Sequence, residues 1–458
     1  MKVLLVTLNS NLKARWMPLN ILFLASSLRE NGHIVKIVNR IRLSKMYDSQ
    51  NLDMYLENEV ESFQPDFVGI NTISELIYDA QNIIDVVKRV CDAKIVLGGH
   101  HATSLPKLTL KKIRGVDYII THEAENSLLK LVEGDPLEGI PGLCYFNEEF
   151  RQNAPDRIDD LDKLPFPAYD LLDMDYYLKI TPSTIDGYLL KTISMITSRG
   201  CNYSCNFCSE SLTYSNGVRY HSTAYIIRLI NQLLDKYDFN GIIFYDNDFL
   251  SDRKRGTELL NEFINCGISE RIKFSIQTRA NHIDSEIVKL LKESGCVKIE
   301  LGIETVSETL LGSINKGLTQ SKYLEAIKIC KDNMISVQAN LIHGFESETL
   351  LDLDSTYRFI KNSKVDNWRW PKLFICPGTK LYDNFGNGFF ENNEWAEDKI
   401  KAFYSKDHLS SIPIEEKNAF FCSVNRNARF RRRLNILKLN PIQSSIRYFA
   451  KRIWRRIC

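Results

Sequence analysis

The sequence predicts an α/β protein with two strand–helix domains in series and a helical C-terminal region. Short apolar runs alternate with helical patterns before about residue 135, and the same alternation resumes at about residue 190. Between them, a proline-rich and acidic stretch loses this rhythm. The predicted divisions are therefore a first domain at 1–135, a linker at 136–189, a second domain at 190–385 and a C-terminal region at 386–458.

The composition is that of a folded, soluble protein. Of 458 residues, 44% are hydrophobic and 25% are charged, which excludes general disorder. No run approaches the ~18 apolar residues of a membrane-spanning helix, and the apolar N-terminus lacks a signal-peptide cleavage pattern. Eleven cysteines in such a chain indicate thiols or metal ligands rather than disulfides. We expect a cytoplasmic protein.

The first domain begins with KVLLVTL, a continuous apolar run typical of a parallel strand buried on both faces. A helix follows at 19–31, and another is predicted at 78–91. Four more strands are predicted at HIVKIVN, DFVGINT, KIVLGG and DYIITH. Five strands with helices between them predict a doubly wound, Rossmann-like domain, in which ligands bind at the carboxyl ends of the strands.

The second domain shows six strand candidates, each followed by a helical pattern or a loop. Six such units predict a partial (β/α)6 barrel, resembling an incomplete TIM barrel, rather than a closed eightfold one. The strand candidates are KTISMITS, GIIFYDN, KFSIQTR, KIELGIE, SVQANLIHG and KLFICPG. The predicted helices lie at 221–237, 255–266, 284–294, 307–311, 321–333 and 348–361.

Three cysteines follow the first barrel strand with the spacing Cys-x-x-x-Cys-x-x-Cys: Cys201, Cys205 and Cys208. Closely spaced thiolates hold iron–sulfur clusters, and three of them leave one iron of a 4Fe–4S cluster open to another ligand. A zinc knuckle is the alternative, but structural zinc needs four ligands and no fourth Cys or His has suitable spacing. The remaining alternative is three unrelated buried cysteines.

With this motif, the chain from about Lys191 to Gly378 resembles the radical S-adenosylmethionine (radical SAM) superfamily. The resemblance implies that the open iron binds the amino and carboxylate groups of SAM. It also implies that an electron from the cluster cleaves the sulfonium to give a 5′-deoxyadenosyl radical. An electron donor such as flavodoxin or ferredoxin would then be a partner.

The same resemblance implies five SAM contacts, four of them near strand ends. They are Phe207 before the third cysteine, Asp246 in YDNDF, Gln277 and Arg279 in IQTRAN, and Glu304 in ELGIET, which resembles the contact to the ribose. Ordinary helix capping is the alternative for Asp246. A structural ion pair is the alternative for the IQTRAN residues.

The first domain resembles the cobalamin-binding subgroup of that superfamily, through Met17-Pro18-Leu19, NTISEL, LGGHHATSLP and THEAEN. The subgroup implies a bound cobalamin, and paired glycines allow the backbone to approach a bulky ligand. The chain lacks the Asp-x-His-x-x-Gly signature of other cobalamin proteins, so that motif supplies no histidine ligand to the cobalt. The alternative histidine ligands are His100 and His101, which are predicted to lie in a loop. The candidate cobalamin contacts are Thr72, Ser74, Gly98, Gly99, His100 and Glu123. For THEAEN the alternative is a helix start with acidic residues in its first turn.

The C-terminal stretch 426–458 is strongly basic. It holds eleven Lys and Arg and no acidic residue, whereas the rest of the chain has 48 basic and 57 acidic residues, a net charge of −9. Pro441 predicts two helices, and the second carries Phe449 and Trp454 among basic residues, as in helices that lie on anionic membranes. Docking on the acidic body is the alternative. No nucleic-acid module accompanies the charge.

Taken together, the resemblance implies a radical SAM enzyme that methylates an unactivated carbon of a small-molecule or lipid-like substrate. One SAM would methylate cobalamin and a second would generate the substrate radical. The alternatives are a radical cyclase, oxidase or rearrangement enzyme on the same scaffold, and a non-catalytic cobalamin- or redox-responsive binding protein. Methylthiotransferases need three further N-terminal cysteines, whereas only Cys91 and Cys144 precede residue 190. One cluster is expected.

Overall fold

The computed structural model describes residues 1–9, 16–181, 184–185, 187–214, 217–386, 388–405, 409–410 and 412–440. Two mainly parallel sheets dominate this part of the chain, and each is covered by helices. Their strands are short and apolar, as parallel strands buried on both faces must be. The predicted order of a doubly wound domain followed by a partial barrel is confirmed.

The first sheet has seven strands in the order β2-β1-β3-β4-β5-β6-β7. The first five pair in parallel, and the last two are antiparallel. The strands are β1 (Lys2–Thr7), β2 (Ile34–Val38), β3 (Phe67–Asn71), β4 (Lys94–Gly98), β5 (Tyr118–Ile120), β6 (Leu143–Asn147) and β7 (Glu149–Gln152). The helices are α1 (Leu19–Glu30), α2 (Arg40–Leu43), α3 (Ser49–Phe63), α4 (Ile77–Val90), α5 (His100–Ser104), α6 (Pro106–Lys112) and α7 (Glu125–Glu133).

The first sheet extends beyond the predicted boundary at residue 135. Strands β6 and β7 form a hairpin that continues the sheet, and Leu143, Cys144 and Tyr145 are buried. The interpretation of 136–189 as a linker is therefore wrong for residues 143–152, because nearby prolines obscured a short edge hairpin. Beyond it, the described residues form short helical segments, of which α8 (Met174–Tyr177) is one, and Thr181 forms a bridge with Leu190.

The second sheet has six parallel strands in the order β8-β11-β12-β13-β14-β15. Two further short strands form a separate antiparallel hairpin, with one strand before the cysteine loop and the other after it. The sheet strands are β8 (Thr192–Met195), β11 (Gly241–Phe244), β12 (Lys273–Thr278), β13 (Cys296–Glu304), β14 (Ser336–Leu341) and β15 (Asn367–Arg369), and the hairpin is β9 (Ser198–Arg199) with β10 (Arg219–Tyr220). The helices are α9 (Glu210–Thr213), α10 (Thr223–Lys236), α11 (Arg253–Asn265), α12 (Ile268–Arg271), α13 (Ser285–Glu293), α14 (Glu308–Ser313), α15 (Gln320–Asp332) and α16 (Leu350–Asn362).

The sixth barrel strand is not the segment that the sequence predicted. It is β15, which pairs with β14, whereas KLFICPG contributes only one bridge, from Lys372 to His343. Pro371 precedes that segment and Pro377 lies within it, and a proline cannot donate the hydrogen bond that a strand ladder requires. Strand β15, which lies between α16 and Pro371, has only three residues and was too short for its pattern to be recognised.

The C-terminal helices contact both domains. They are α17 (Lys380–Phe385), α18 (Phe389–Asn392), α19 (Glu397–Ser405) and α20 (Ile414–Leu439). Phe390 is fully buried and packs edge-on against His101 of the first domain, with 5.0 Å between ring centroids. Helix α20 instead lies on the barrel, where Arg431 and Asn435 donate hydrogen bonds to the carbonyl oxygens that follow α16.

The predicted membrane-surface helix after Pro441 lies outside the described residues. Within the residues that are described, no helix combines the length and apolar character needed to cross a membrane.

Candidate active site

A cavity of about 520 Å³ lies where the carboxyl ends of the first sheet face the barrel. This volume is in the range of small-molecule and cofactor sites. From the barrel side, the cavity is lined by Ile196, Arg199, Glu210, Tyr214 and Tyr245. The two domains therefore share one ligand-sized space.

The cavity also reaches beneath the first sheet. Leu5, Gly69 and Val96 line it from the strands, and Ile21 and Leu128 line it from α1 and α7. These walls are apolar, and the mouth between the domains carries charged and hydroxyl groups. Such a site suits a large ligand with an apolar part inside the domain and a polar part at the interface.

The predicted glycine pair lies at the mouth of this cavity, with His100 beside it. Gly99 has φ +93°, and a Cβ there would stand 2.2 Å from Asn71 Oδ1 and 2.6 Å from the Thr72 carbonyl oxygen. Only glycine fits this turn. Gly98 lines the same wall, so the backbone itself forms the surface that a bulky cofactor would contact, and the residues fit cobalamin in this respect.

Two other predicted cobalamin contacts do not line the cavity. Thr72 is fully buried, and its hydroxyl donates to the Gly98 carbonyl oxygen at 2.8 Å. The Ser74 hydroxyl lies 2.8 Å from His101 Nδ1, also in the interior. Burial lowers the pKa of His101 to about 3, so this ring is neutral. These three residues fix the strand end rather than face the cavity.

Glu123 lines the cavity and also ties the two domains together. Its Oε1 accepts from Arg199 Nη1 at 2.7 Å, and its Oε2 accepts from Arg219. Arg199 Nη2 also donates to Glu125 at 2.6 Å. All four side chains are at most 6% exposed. Both Glu123 oxygens are engaged by arginine, so the residue links the two domains. Its contact to cobalamin stays a prediction.

The network holds Arg199 as a cation. Burial alone would lower the pKa of Arg199, but Glu125, Tyr214 and Glu123 outweigh it and raise the pKa above its ordinary value. Two guanidiniums face two carboxylates, so the charges balance inside the protein. Since Arg199 stands two residues before Cys201, the cavity wall is connected directly to the cysteine loop.

Asp246 fastens the hairpin strand from which this loop starts. Its Oδ1 accepts from the Thr197 backbone N–H at 3.0 Å and from the Thr197 and Ser198 hydroxyls. It is 1% exposed, so Oδ1 holds the hairpin, while Oδ2 has no hydrogen-bond partner among the described residues. Its contact to SAM stays a prediction. Gly200, at φ +100°, then turns the chain, and a Cβ there would lie 2.4 Å from the Gly217 carbonyl oxygen.

The three cysteines of the loop are half-buried, and Cys201 and Cys205 lie close enough to act electrostatically on Cys208. Burial raises the pKa of Cys208 to about 12, and the neighbouring Cys205 and Cys201 add to the rise. Among the described residues, no three His, Cys, Asp or Glu side chains are arranged to hold a single metal ion. In a 4Fe–4S cluster each thiolate binds a different iron. The donor chemistry and the open loop fit such a cluster.

Around the cysteine loop, the structure brings together two of the predicted SAM contacts. The Arg279 guanidinium stacks on Tyr203, 3.6 Å from the ring centroid, and donates to the Lys316 carbonyl oxygen. The Lys316 ammonium pairs with Glu304. Glu304 follows a shift in strand register and has φ +64°, so a bulge directs its carboxylate toward this group.

Two further predicted SAM contacts are Phe207, within the cysteine loop, and Gln277, on strand β12. Phe207 packs against Phe345, with 6.3 Å between ring centroids. Gln277 projects from β12, and its side chain is exposed while its neighbours Ile276 and Thr278 are buried. Its amide is thus accessible at the strand end, as a ligand contact requires.

Sequence reasoning missed the polar interior of the barrel. Lys298 is 2% exposed, and its ammonium donates to Glu300 at 2.9 Å and to Gln338 at 2.7 Å. Asn340 also donates to Glu300. Arg369 at the end of β15 completes this group, since its charge acts on Glu300. The available signal was the alternation of polar residues along β13 and β14. It indicates a polar interior only when the pairing register of the two strands is known.

Comparison with known proteins supports both domains. Residues 195–360 match the model of the radical SAM superfamily, and residues 5–132 match the B12-binding domain. The chain is 31% identical to an uncharacterized methyltransferase of Pyrococcus horikoshii over 80% of this chain and 78% of that protein. It is 25% identical to the anaerobic magnesium-protoporphyrin IX monomethyl ester cyclase of Rubrivivax gelatinosus over 90% of this chain and 72% of that protein.

Among solved structures, the fold is similar to that of the radical SAM methyltransferase TsrM from Kitasatospora setae, which was determined with cobalamin and a 4Fe–4S cluster bound. The TM-score is 0.68 at 17% sequence identity, over 85% of this chain and 75% of that one. This likeness concerns the architecture of the two domains.

Proposed function

Because the chain belongs to the radical SAM superfamily, in the subgroup with an N-terminal B12-binding domain, we propose that it methylates an unactivated carbon of its substrate. The family's cofactors are a 4Fe–4S cluster, SAM and cobalamin. The observation that carries the proposal is the shared cavity, in which the glycine wall of the first domain faces barrel residues that adjoin the cysteine loop.

When bound, the cofactors supply the 5′-deoxyadenosyl radical and the methyl group. The protein holds and orients them. Cys201, Cys205 and Cys208 are the proposed cluster ligands, and Gly98 and Gly99 form the wall for cobalamin. His100 lies beside this wall, and we assign it a contact to cobalamin rather than a bond to the metal.

For SAM, we assign the carboxylate to Arg279, because its guanidinium lies beside the cysteine loop and is paired with no carboxylate among the described residues. Glu304 would contact the ribose hydroxyls, with Lys316 holding its carboxylate in place. Gln277 offers an exposed amide on the adjacent strand. Phe207 would help to exclude water from the cluster.

The test is product analysis with the anaerobically purified, cluster-reconstituted protein under a strong reductant. Retained cobalamin, together with both 5′-deoxyadenosine and S-adenosylhomocysteine, is the expected result for a methylase. 5′-Deoxyadenosine without S-adenosylhomocysteine would instead favour radical cyclase or oxidase chemistry, which the similarity to the Rubrivivax cyclase makes the second candidate. Absence of SAM cleavage would favour a binding protein.

We also propose that the basic C-terminal region contacts an anionic membrane surface, where a lipid-like substrate would be available. Helix α20 exposes Phe430, Leu434 and Leu437, at 61%, 47% and 51% of their surfaces, on the side away from the barrel. Their spacing of four and three residues places them on one face among several arginines.

Co-sedimentation with vesicles that contain phosphatidylserine tests this contact. The full chain is expected to bind, and binding is expected to weaken at high salt because screening reduces the attraction. A chain that lacks residues 441–458 should bind the vesicles more weakly than the full chain at the same salt concentration. Equal partition of the full and shortened chains would refute a role for that segment.

A further inference from the structure

We infer that Arg369 is a binding site for an oxyanion of the substrate, so that the substrate carries a carboxylate or phosphate group. This inference rests on the proposed function, since it assigns a substrate class to the same site. It concerns the interior of the barrel, next to the cobalamin cavity but outside it.

The register of the sheet directs Arg369 inward. It lies opposite Asn340 of β14, which itself contacts Glu300 inside the barrel. Its neighbours alternate to the other side, where Trp368 is buried in the core and Trp370 packs against Phe420 of α20. Since side chains alternate along a strand, Arg369 faces the interior at the carboxyl end of β15, where ligands bind in such barrels.

Arg369 is a cation that the protein does not neutralise by direct contact. Among the residues that the structure describes, it forms no ion pair and donates no hydrogen bond, and it is partly exposed. The nearby Glu300 is already held by Lys298, Gln338 and Asn340. Burial works to raise the pKa of Glu300, but Lys298 and Arg369 outweigh it and keep the carboxylate ionised. One carboxylate thus faces two cations, which leaves one positive charge.

This cation is separate from the one assigned to SAM. Arg279 follows β12 and Arg369 ends β15, three strands away in the sheet. The Arg279 guanidinium contacts Tyr203 and the Lys316 carbonyl oxygen beside the cysteine loop, whereas the charge of Arg369 acts on Glu300 inside the barrel. The two guanidiniums therefore belong to different groups of side chains. SAM has a single carboxylate, which we assign to Arg279, so the anion that we infer for Arg369 belongs to the substrate.

The position of Arg369 also suits a substrate that reaches the cobalamin cavity. Tyr245 lines that cavity, and the charges of both Glu300 and Arg369 act on its hydroxyl. A substrate anchored at Arg369 would extend past Tyr245 toward the space between the cofactors. An arginine fork binds carboxylate or phosphate in a fixed orientation, as is required to present one carbon for reaction.

The test uses inorganic phosphate as the probe, with the holoenzyme, a non-cleavable SAM analogue to occupy the SAM site, and a photoreduced cluster. The reduced cluster is paramagnetic, so phosphate bound in the barrel should show faster ³¹P relaxation. A parallel arm uses ¹³C-labelled acetate, which distinguishes phosphate from carboxylate. Saturable relaxation enhancement of at least one probe is expected for the unaltered protein.

The variant Arg369→Gln removes the charge and should weaken that binding about tenfold or more, as the loss of a charge-assisted hydrogen bond does. Arg369→Ala is the second variant, and cluster absorbance checks that each is folded. The control is Arg358→Ala on the outer face of α16, where the side chain is 75% exposed, and it should bind as the unaltered protein does.

Two results would overturn the inference: enhancement that is unchanged in both Arg369 variants, or no enhancement of either probe in the unaltered protein. Production of 5′-deoxyadenosine from SAM by the unaltered protein, without either probe, tests the proposed function separately. That activity can therefore be present when the anion site is absent.

Discussion

At the scale of single residues, Glu123 links the two domains through buried ion pairs. Its carboxylate is 4% exposed and contacts two arginines from the barrel, so it exchanges hydration for two charge-assisted bonds. Such a group stabilises the protein only while all its partners are present, because each remaining charge would otherwise be buried without compensation.

We therefore expect Glu123→Gln to lower the free energy of unfolding by about 3–5 kcal/mol, the usual cost of breaking a buried ion pair. Urea unfolding followed by circular dichroism measures this. The matched control is Glu133→Gln at the exposed end of α7, which should cost about 0.5 kcal/mol or less. Equal costs for the two variants would show that the network contributes little.

His101 predicts a dependence of stability on pH. Burial lowers its pKa to about 3, from an ordinary value of 6.5, so between these values the unfolded chain binds a proton that the folded chain does not. The contribution of the neutral His101 ring to the free energy of unfolding is therefore complete above pH 6.5. It is lost as the pH falls toward 3, and the free energy of unfolding decreases by up to about 1.4 kcal/mol per pH unit. Among the residues that the structure describes, no charged side chain contacts the ring, whose neighbours are Ser74, Phe390 and Trp395.

The variant His101→Gln cannot take up this proton, so its stability should fall less steeply than that of the unaltered protein between pH 6.5 and 4.5. Urea midpoints across this range measure the difference, and the value at pH 8 gives the pH-independent cost of the substitution. Parallel pH curves would contradict the prediction.

At the scale of elements, helices α17–α19 complete the first domain. Phe390 and Trp395 cover His101, and Phe403 stacks on Phe389 with 4.1 Å between ring centroids. The division of the chain into successive domains is therefore incomplete, because an element after the barrel supplies part of the first core.

Phe390→Ala is expected to destabilise the first domain by about 3–5 kcal/mol, since it leaves a cavity in a fully buried cluster. Thermal unfolding followed by cobalamin absorbance reports on this domain. The control Phe146→Ala, on a side chain that is 45% exposed, should cost about 1 kcal/mol or less. A loss confined to the barrel would contradict the placement of α18.

The elements that the sequence predicted are those whose signal is local. Apolar runs located the five parallel strands of the first sheet and five of the barrel strands, but not the antiparallel hairpin of β6 and β7. Cys201, Cys205 and Cys208 are close together in the chain. Glu123, by contrast, meets arginines 76 and 96 residues away. The barrel interior depends on register between strands. No local pattern contains such pairings, so Arg199 and Arg369 emerged only from the structure.

At the scale of the whole molecule, the cavity between the domains is connected to the cysteine loop through buried ion pairs. The route runs from the cavity wall through Glu123 to Arg199 and then to the cysteine loop. Any ligand that stabilises the first domain should therefore also stabilise the barrel, because the barrel arginines lose their partners when the first domain unfolds.

We expect hydroxocobalamin at 100 times its Kd to raise the free energy of unfolding by about 2.7 kcal/mol, and to raise the urea midpoint of both domains. Cobalamin absorbance reports on the first domain, and cluster absorbance reports on the barrel. In Arg199→Met, the barrel midpoint should move less. The exposed control Arg253→Met should behave as the unaltered protein. An equal barrel shift in both variants would place the coupling elsewhere.

The return of α18 to the first domain has a consequence for biosynthesis. The apolar surface around His101 leaves the ribosome roughly 300 residues before Phe390 and Trp395 exist to cover it. At ~5–20 residues per second, this surface stays open for roughly 15–60 s, long enough for a nascent chain to aggregate or to engage a chaperone. The first domain is thus translated first but finished late, and a chain that stalls within the barrel would present an uncovered core.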